Sequence, residues 1–405
     1  MRKFLFLGIL CLVMFLQTDC HAFFTGFGFS GGADEVIKKG QDEGKIPKVP
    51  DTGETTTSPI QHGAEVVWQK VYNGGSDDHG HDIAVDSSGN VYVTGESWNG
   101  ANYDWFTIKY NANGDTIWLK KYDSGDSDTP FGIAVDDTGN VYVTGRYCVG
   151  ANWNFYTIKY NSNGDTVWQK RYGSGTGTGI TVDSFGNIYV TGYGVGGGWD
   201  CPTVKYNSNG DTIWQKVYDS GIEAGHDVAV DSSDNVYVTG WCNGDLLTIK
   251  YDSNGNMVWL KKYDAGPDDD GRGIAVDSSG NVYVTGRSSN GANYDCLTIK
   301  YNGTTGDTIW QKVYNGGNND YGFGIAVDSS GNVYVTGESW NGANCDFMTI
   351  KYNSSGDTVW QKAWDGGSYD IGRGIAVDSS GNVYVTGKSH NGANYDCLTI
   401  KYRQY

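Results

Sequence analysis

The fold this sequence predicts is an all-β ring of seven four-stranded sheets, and three observations predict it. A unit of roughly 49 residues recurs over about 340 residues, a period that signals propellers, solenoids or arrays. Its aspartate returns at Asp86, Asp136, Asp183, Asp231, Asp277, Asp328 and Asp378, and its tryptophan at Trp68, Trp118, Trp168, Trp214, Trp259, Trp310 and Trp360. Each unit breaks into four short runs rich in Val, Ile, Thr, Tyr and Trp, with turn residues between them and no stretch long enough for a helix. The copies are also cut at an offset, because Trp68 precedes Asp86 and the chain stops soon after Asp378. The series opens with the tail of a unit and closes without one, which is how a ring is sealed.

The first complete unit shows the elements in order. Residues 82–86 read as strand A, 90–95 as strand B, 106–110 as strand C and 116–122 as strand D. In Asp86-Ser87-Ser88-Gly89-Asn90 the aspartate can cap the A–B turn and Gly89 can take a positive φ. Asn111-Ala112-Asn113-Gly114-Asp115 carries Asn-Gly, the strongest short hairpin cue, between C and D. Four antiparallel strands per unit make one blade of a seven-bladed β-propeller, an architecture that protects sheet edges. Strand D of the opening fragment, 66–72, has no A, B or C before it, and the closing fragment has no D after it. The N-terminal D strand is therefore expected beside 398–402, completing the last blade.

A Gly-x-x-x-Trp spacing recurs from C to D, as at Gly114 and Trp118, and is lost only before Trp68. One indole at one fixed place per blade suits packing between neighbouring sheets. The string Gly-Ile-Ala-Val-Asp-Ser-Ser-Gly-Asn-Val-Tyr-Val-Thr-Gly resembles the SBBP family, β-propeller repeats of exported and cell-surface bacterial and archaeal proteins. The resemblance covers nearly all of 65–405; it implies a secreted or surface propeller and brings no catalytic residues. The Gly-x-x-x-Trp spacing is also similar to the tryptophan-docking repeat of quinoprotein dehydrogenases. The neighbouring-cysteine pair of that class is missing here, so no cofactor is implied.

Outside the repeats, residues 1–22 read as an export signal: Arg2 and Lys3, an apolar stretch over 4–16, and a cleavage site at Cys20-His21-Ala22. Gln17-Thr18-Asp19 lacks the small residues expected before a lipidated cysteine. Residues 23–64, rich in Gly, Thr and charge, read as a flexible tether, leaving 65–405 for the propeller. The net charge is −18, and such a chain repels phosphate backbones, so nucleic acid is not an expected partner. The apolar stretch is too short for a membrane span, and a monomer is expected. Cys148, Cys201, Cys242, Cys296, Cys345 and Cys397 remain after cleavage; three of them fill a slot held elsewhere by Trp105, Phe155, Leu246 and Phe347, which points to buried free thiols. No pair has metal spacing, and neither a metal nor a cofactor is expected.

A residue that appears seven times is first a fold residue, so a site is sought where the copies differ. The seven repeated aspartates are read as turn caps rather than a calcium-attracting ring. Two slots vary. The start of strand A carries His81, Phe131, Thr178, His226, Arg272, Phe323 and Arg373; the step after Val-Thr-Gly carries Glu96, Arg146, Tyr193, Trp241, Arg287, Glu338 and Lys388. Counted across the turn, His81 lies opposite Glu96, Arg272 opposite Arg287 and Arg373 opposite Lys388, unless a bulge shifts the count by one. Like charges directly opposite destabilise a sheet; Asp268, Asp269, Asp270 and Asp370 are the expected relief, an anionic ligand the alternative. The B–C loops place Trp98, Asn102, Tyr103, Tyr294, Trp340 and Tyr395 beside Asn and Asp, a combination that suits sugar rings or simply builds a compact turn.

No catalytic constellation emerges. His79-Gly80-His81 lacks a third metal ligand. Gly28-Phe29-Ser30-Gly31-Gly32 fits GxSxG, and 26–31 fits GxGxxG, but both lie in the tether without the strand and helix those motifs need. The glycine run over 194–198 reads as an irregular loop. The expected function is a non-enzymatic interaction scaffold that meets a surface protein or glycan through its loop rim. The alternatives are a multivalent lectin using the B–C aromatics, and an enzyme with one site at the channel mouth near His81 and His226.

Overall fold

In the computed structural model, residues 63–150, 152–194 and 199–405 are described. They form 28 strands, numbered β1 to β28 in chain order, and seven antiparallel four-stranded sheets. The first blade is β2 (Asp78–Val85), β3 (Val91–Trp98), β4 (Tyr103–Tyr110) and β5 (Thr116–Tyr122). Five more blades repeat that order. The seventh joins β26 (Asp370–Val377), β27 (Val383–His390) and β28 (Tyr395–Gln404) to β1 (Ala64–Tyr72), so the expected closure is observed. Val66 pairs with Tyr402 and Tyr72 with Cys397. The expected export signal, the GxSxG and GxGxxG strings and the tether up to residue 62 lie outside the described residues, as does the glycine run over 195–198. Ala64, counted in the tether by sequence, already belongs to β1.

The repeated residues build the ring. Asp86 Oδ1 accepts the Ser88 and Asn90 backbone N–H groups, both at 2.9 Å, and its Oδ2 accepts Asn90 Nδ2 at 2.8 Å and the Tyr92 hydroxyl at 2.9 Å. Burial works against the charge of Asp86, yet these bonds hold its carboxyl below the ordinary aspartate value. The same tyrosine–aspartate latch closes every blade. The repeated aspartates thus cap turns.

Each recurring tryptophan reaches the next blade. Trp68 Nε1 donates to Ala112 O and Trp118 Nε1 to Ser162 O, both at 3.2 Å. The glycine of the C–D turn is needed twice over. Gly114 has φ +83, and a Cβ there would come within 3.0 Å of the Trp68 ring. The Gly-x-x-x-Trp spacing therefore records contacts between blades, the glycine of one lying against the tryptophan of its neighbour. At the seam no C–D turn exists to receive Trp360. Gln404 takes its place: Oε1 accepts Trp360 Nε1 at 3.3 Å and Lys351 Nζ at 2.6 Å, while Nε2 donates to Gly381 O and the Tyr334 hydroxyl.

The six described cysteines are buried. Cys201, Cys296 and Cys397 fill the inter-blade slot expected of them, and burial pushes their thiols up to about 12. Among the described residues no helix is long and apolar enough to cross a membrane. Replacing Gln404 with Ala strands Trp360 Nε1 and Lys351 Nζ without their acceptor, and buried donors left unmet cost about 1–3 kcal/mol each. Urea denaturation of Gln404→Ala should show a loss of that order, against a near-neutral Arg403→Ala on the exposed strand end.

Candidate functional site: the axial cavity and its rim

Strands A and B extend further than the sequence suggested, and a bulge displaces their register. β2 begins at Asp78, and pairing with β3 runs His79–Glu96, Gly80–Gly95, then Asp82–Thr94, so His81 is bulged out of the ladder. The same bulge falls at Arg272 and Arg373: Asp270 pairs with Arg287 and Ile371 with Lys388. The expected like-charge pairs are therefore corrected to an opposite-charge pair and a mixed one. The extra residue has a structural consequence. It frees one side chain per blade from the sheet and turns it to the axis.

Those freed side chains meet. His81, Phe131, Thr178, His226, Arg272, Phe323 and Arg373 line one axial cavity of about 120 Å³. Its ring is held by contacts between neighbours. Thr178 Oγ1 donates to Gly225 O at 2.7 Å, the His81 and Phe131 rings meet edge-on at 5.5 Å, and the Arg373 guanidinium lies 4.7 Å from the Phe323 ring centre.

The charges at the cavity are largely neutralised by the protein. Asp270, fully buried, lies 2.9 Å from His226 Nδ1, 2.7 Å from Arg272 Nη2 and 3.9 Å from Arg287 Nε. Burial opposes its ionisation, yet Arg272, His226 and Arg287 hold its carboxyl well below the usual range. Asp268 takes a second bond from Arg287 at 2.8 Å and also accepts Trp241 Nε1 and the Tyr294 hydroxyl. Asp268 and Asp270 thus supply the internal relief expected of them, whereas Asp370 accepts the Gly366 backbone N–H. On the opposite side Glu96 lies 3.1 Å from His79 Nδ1 and 3.6 Å from His81 Nε2. Burial resists the Glu96 charge, but the two histidines hold it well below the ordinary value. Burial pushes the His81 imidazole down.

Two residues escaped the sequence reading. Asp82 and Asp227 line the same cavity, at a slot where the other blades have Gly132, Gly179, Gly273, Gly324 and Gly374. Glycine is favoured there because a Cβ on Gly273 would come within 2.7 Å of Phe323 O in the next blade. Asp82 Oδ2 instead accepts the Ile133 N–H of the next blade at 2.9 Å, and Asp227 Oδ2 the Ile274 N–H at 2.9 Å. Burial pushes both carboxyls up to about 7. The signal was legible, since an aspartate stands twice where the repeat has glycine, but it was read as part of strand A.

The B–C hairpins form the outer rim. Their strands run on to Trp98 and Tyr103, leaving a turn in which the Asn99 N–H donates to Asn102 O. Asn99 Nδ2 donates to Asn102 Oδ1 at 2.6 Å and to Asp104 at 2.9 Å, so these side chains satisfy one another. Several aromatic faces already carry a cation: Arg287 lies 4.6 Å from the Tyr294 ring centre, Lys388 4.3 Å from that of Tyr395 and Arg146 4.0 Å from that of Trp153. Trp98 meets Tyr103 edge-on at 5.1 Å, and Trp340 is half-buried 6.3 Å from Tyr369. The structure thus gathers His81, His226, Arg272 and Arg373 at the axis, with Glu96, Arg146, Trp241, Arg287 and Lys388 at the neighbouring slot. Trp98, Asn102, Tyr103, Tyr294, Trp340 and Tyr395 stand outward on the same end.

The comparisons with known proteins agree with this architecture. The model of the beta-propeller repeat family SBBP matches residues 72–104, 123–146, 171–197, 221–247, 264–295, 313–342 and 365–396. A search of curated proteins finds no match. Among solved structures, a Kuenenia stuttgartiensis hydrazine synthase chain aligns with TM-score 0.59 at 10% identity, covering 78% of this chain and 94% of that one. Chaetomium thermophilum Sqt1, bound to the N-terminus of ribosomal protein L10, aligns with TM-score 0.52 at 11% identity over 82% and 98%. A Dyadobacter fermentans protein of unknown function aligns with TM-score 0.50 at 9% identity over 85% and 100%. At these identities the likeness is one of fold.

Two outcomes follow from the buried charges. Asp270→Asn leaves Arg272 and Arg287 short of their shared counter-charge, and urea denaturation at pH 7 should show a loss of about 3 kcal/mol. Asp82 and Asp227 hold protons in the folded state between pH 4 and 7 that the unfolded chain releases, so their contribution to stability is full below pH 4 and is lost as pH rises through about 7. The double variant Asp82→Gly, Asp227→Gly should therefore gain melting temperature relative to the parent as pH rises from 5 to 8. An offset that does not change with pH would contradict this.

Proposed function

The chain belongs to the SBBP beta-propeller repeat family, and we propose that it works as an exported, monomeric, non-enzymatic recognition scaffold that meets a surface protein at the end of the ring carrying the D–A and B–C loops. One observation carries the reading. The residues shared by all blades hold the ring together, while the residues that differ collect at that single end. A rigid frame with one varied face is what specific recognition needs, because little order must be created on binding. The opposite-charge groups around the axis already compensate one another, which favours a mixed polar and aromatic partner surface over a strongly charged one. The fold can serve this use, as the Sqt1 complex with the N-terminus of another protein illustrates. The net charge of −18 disfavours nucleic acid. The lectin reading has less support, because the Asn side chains bond within their turn and cations cover Tyr294 and Tyr395.

The test is capture from native cell envelopes with the purified chain as bait, run beside Arg146→Ala combined with Trp98→Ala and Trp340→Ala. The reading predicts a defined protein partner whose capture falls at least tenfold in that variant and is unchanged in Ile117→Ala on an outer strand. Equal capture by all three forms would contradict it, and binding to several sugars on a glycan array, lost in the triple variant, would replace it with the lectin reading.

A further inference from the structure

A cluster of acidic side chains lies on the loop rim where the third blade meets the fourth. Asp200 stands just before β12 (Cys201–Tyr206), Asp219 just after β13 (Thr212–Tyr218), and Glu223 opens β14 (Glu223–Val230). A carboxylate oxygen from each lies within 4.8 Å of the others. Oxygens that share one Ca²⁺ at about 2.3–2.6 Å can stand no more than about 5 Å apart, so the spacing fits a common ion. The charges acting on Asp200 beyond its burial are those of Asp219 and Glu223.

Acidic clusters are common without an ion, and a second observation separates this one. Glu223 is completely buried. Its Oε1 accepts the Ser220 N–H at 3.0 Å and the Ser220 hydroxyl at 2.6 Å, while its Oε2, equally buried, has no partner. A carboxylate oxygen sealed from water and left unbonded is costly unless something cationic meets it.

The corresponding place between the first and second blades shows what a satisfied version looks like. Asp104, Asp123 and Asp128 cluster there within the same distance. Yet Asp128 has both oxygens occupied, Oδ2 by the Ser124 N–H and Oδ1 by the Ser124 hydroxyl, each at 2.7 Å. Between the third and fourth blades the loop is shorter, three residues from Ser220 to Glu223 against four from Ser124 to Asp128, and the acid is one carbon longer. Serine therefore serves one oxygen twice and leaves the other open.

We propose that Asp200, Asp219 and Glu223 form a divalent-cation site, matched in ligand type and spacing to Ca²⁺, that fastens the third blade to the fourth. The ligands are hard oxygens without nitrogen or sulfur, which selects Ca²⁺ over zinc or copper. Asp219 is exposed, which gives the ion an entry path. The site draws on both blades, so the ion adds to the stability of the folded ring and not of the unfolded chain.

Terbium is the probe, because Trp199 adjoins Asp200 and can sensitise its emission. Titrating the purified, EDTA-stripped chain with Tb³⁺ should give saturable emission on indole excitation that Ca²⁺ displaces, and Ca²⁺ alone should raise the melting temperature. Glu223→Gln keeps an oxygen for Ser220 and removes the charge; it should weaken Tb³⁺ at least tenfold and abolish the Ca²⁺ shift. Asp123→Asn at the satisfied cluster should change neither. Asp219→Asn, on an exposed side chain, supplies the same test should Glu223→Gln fail to fold. Absence of both the displaceable emission and the Ca²⁺ shift in the parent chain would overturn the proposal, as would both surviving unchanged in Glu223→Gln or Asp219→Asn.

Discussion

The seventh blade is shared by segments more than 300 residues apart in sequence, and every other feature depends on that pairing. β1 lies along β28 with Ala64 facing Gln404 and Tyr72 facing Cys397. Without it β28 would present an open edge, and the seventh sheet would lose the outer strand that carries Trp68. Trp68 is also the residue that reaches into the C–D turn of the first blade. The pairing therefore does two things at once: it completes a sheet and joins the last blade to the first. The cavity exists only because seven bulged side chains are brought round to a common axis.

Contacts between blades are carried by polar atoms as much as by apolar ones. A tryptophan N–H crosses six of the seven junctions to a turn carbonyl, and lysines such as Lys159 and Lys250 reach the same carbonyls at 3.1 and 2.7 Å. These bonds are directional, so they fix the angle between neighbouring sheets, whereas apolar packing alone would tolerate sliding. The seam shows how specific the requirement is. Where the ring lacks a turn, a side-chain amide at Gln404 supplies both an acceptor for Trp360 and a donor toward Gly381. Asp82 and Asp227 add two further cross-blade bonds near the axis, at the cost of carboxyls that resist ionisation.

Much of this was legible in the sequence because repetition averages out local noise. Asp86 with Asn90, and Gly114 before Trp118, announced turns and packing through spacing alone, and the offset between Trp68 and Asp86 announced the closure. The bulge at Gly80–Asp82 was not legible, since one extra residue in a strand leaves no mark on composition, and it moved His81, Arg272 and Arg373 by one place. That shift turned an expected like-charge pair into the Asp270–Arg287 pair. Strand ends were also misjudged, because polar residues such as His79 and Ser97 continue a ladder whose hydrogen bonds come from the backbone. The role of Gln404 depends on neighbours far away in sequence, which no local pattern reports.

Hydrogen exchange of individual backbone amides tests the closure most directly. If β1 is an integral strand of the seventh blade, amides of 65–71 that pair with β28 exchange as slowly as those at the centre of β3, and both respond alike to added denaturant. Rapid exchange across 65–71, with β26 and β27 remaining protected, would show an open seventh sheet and contradict the account.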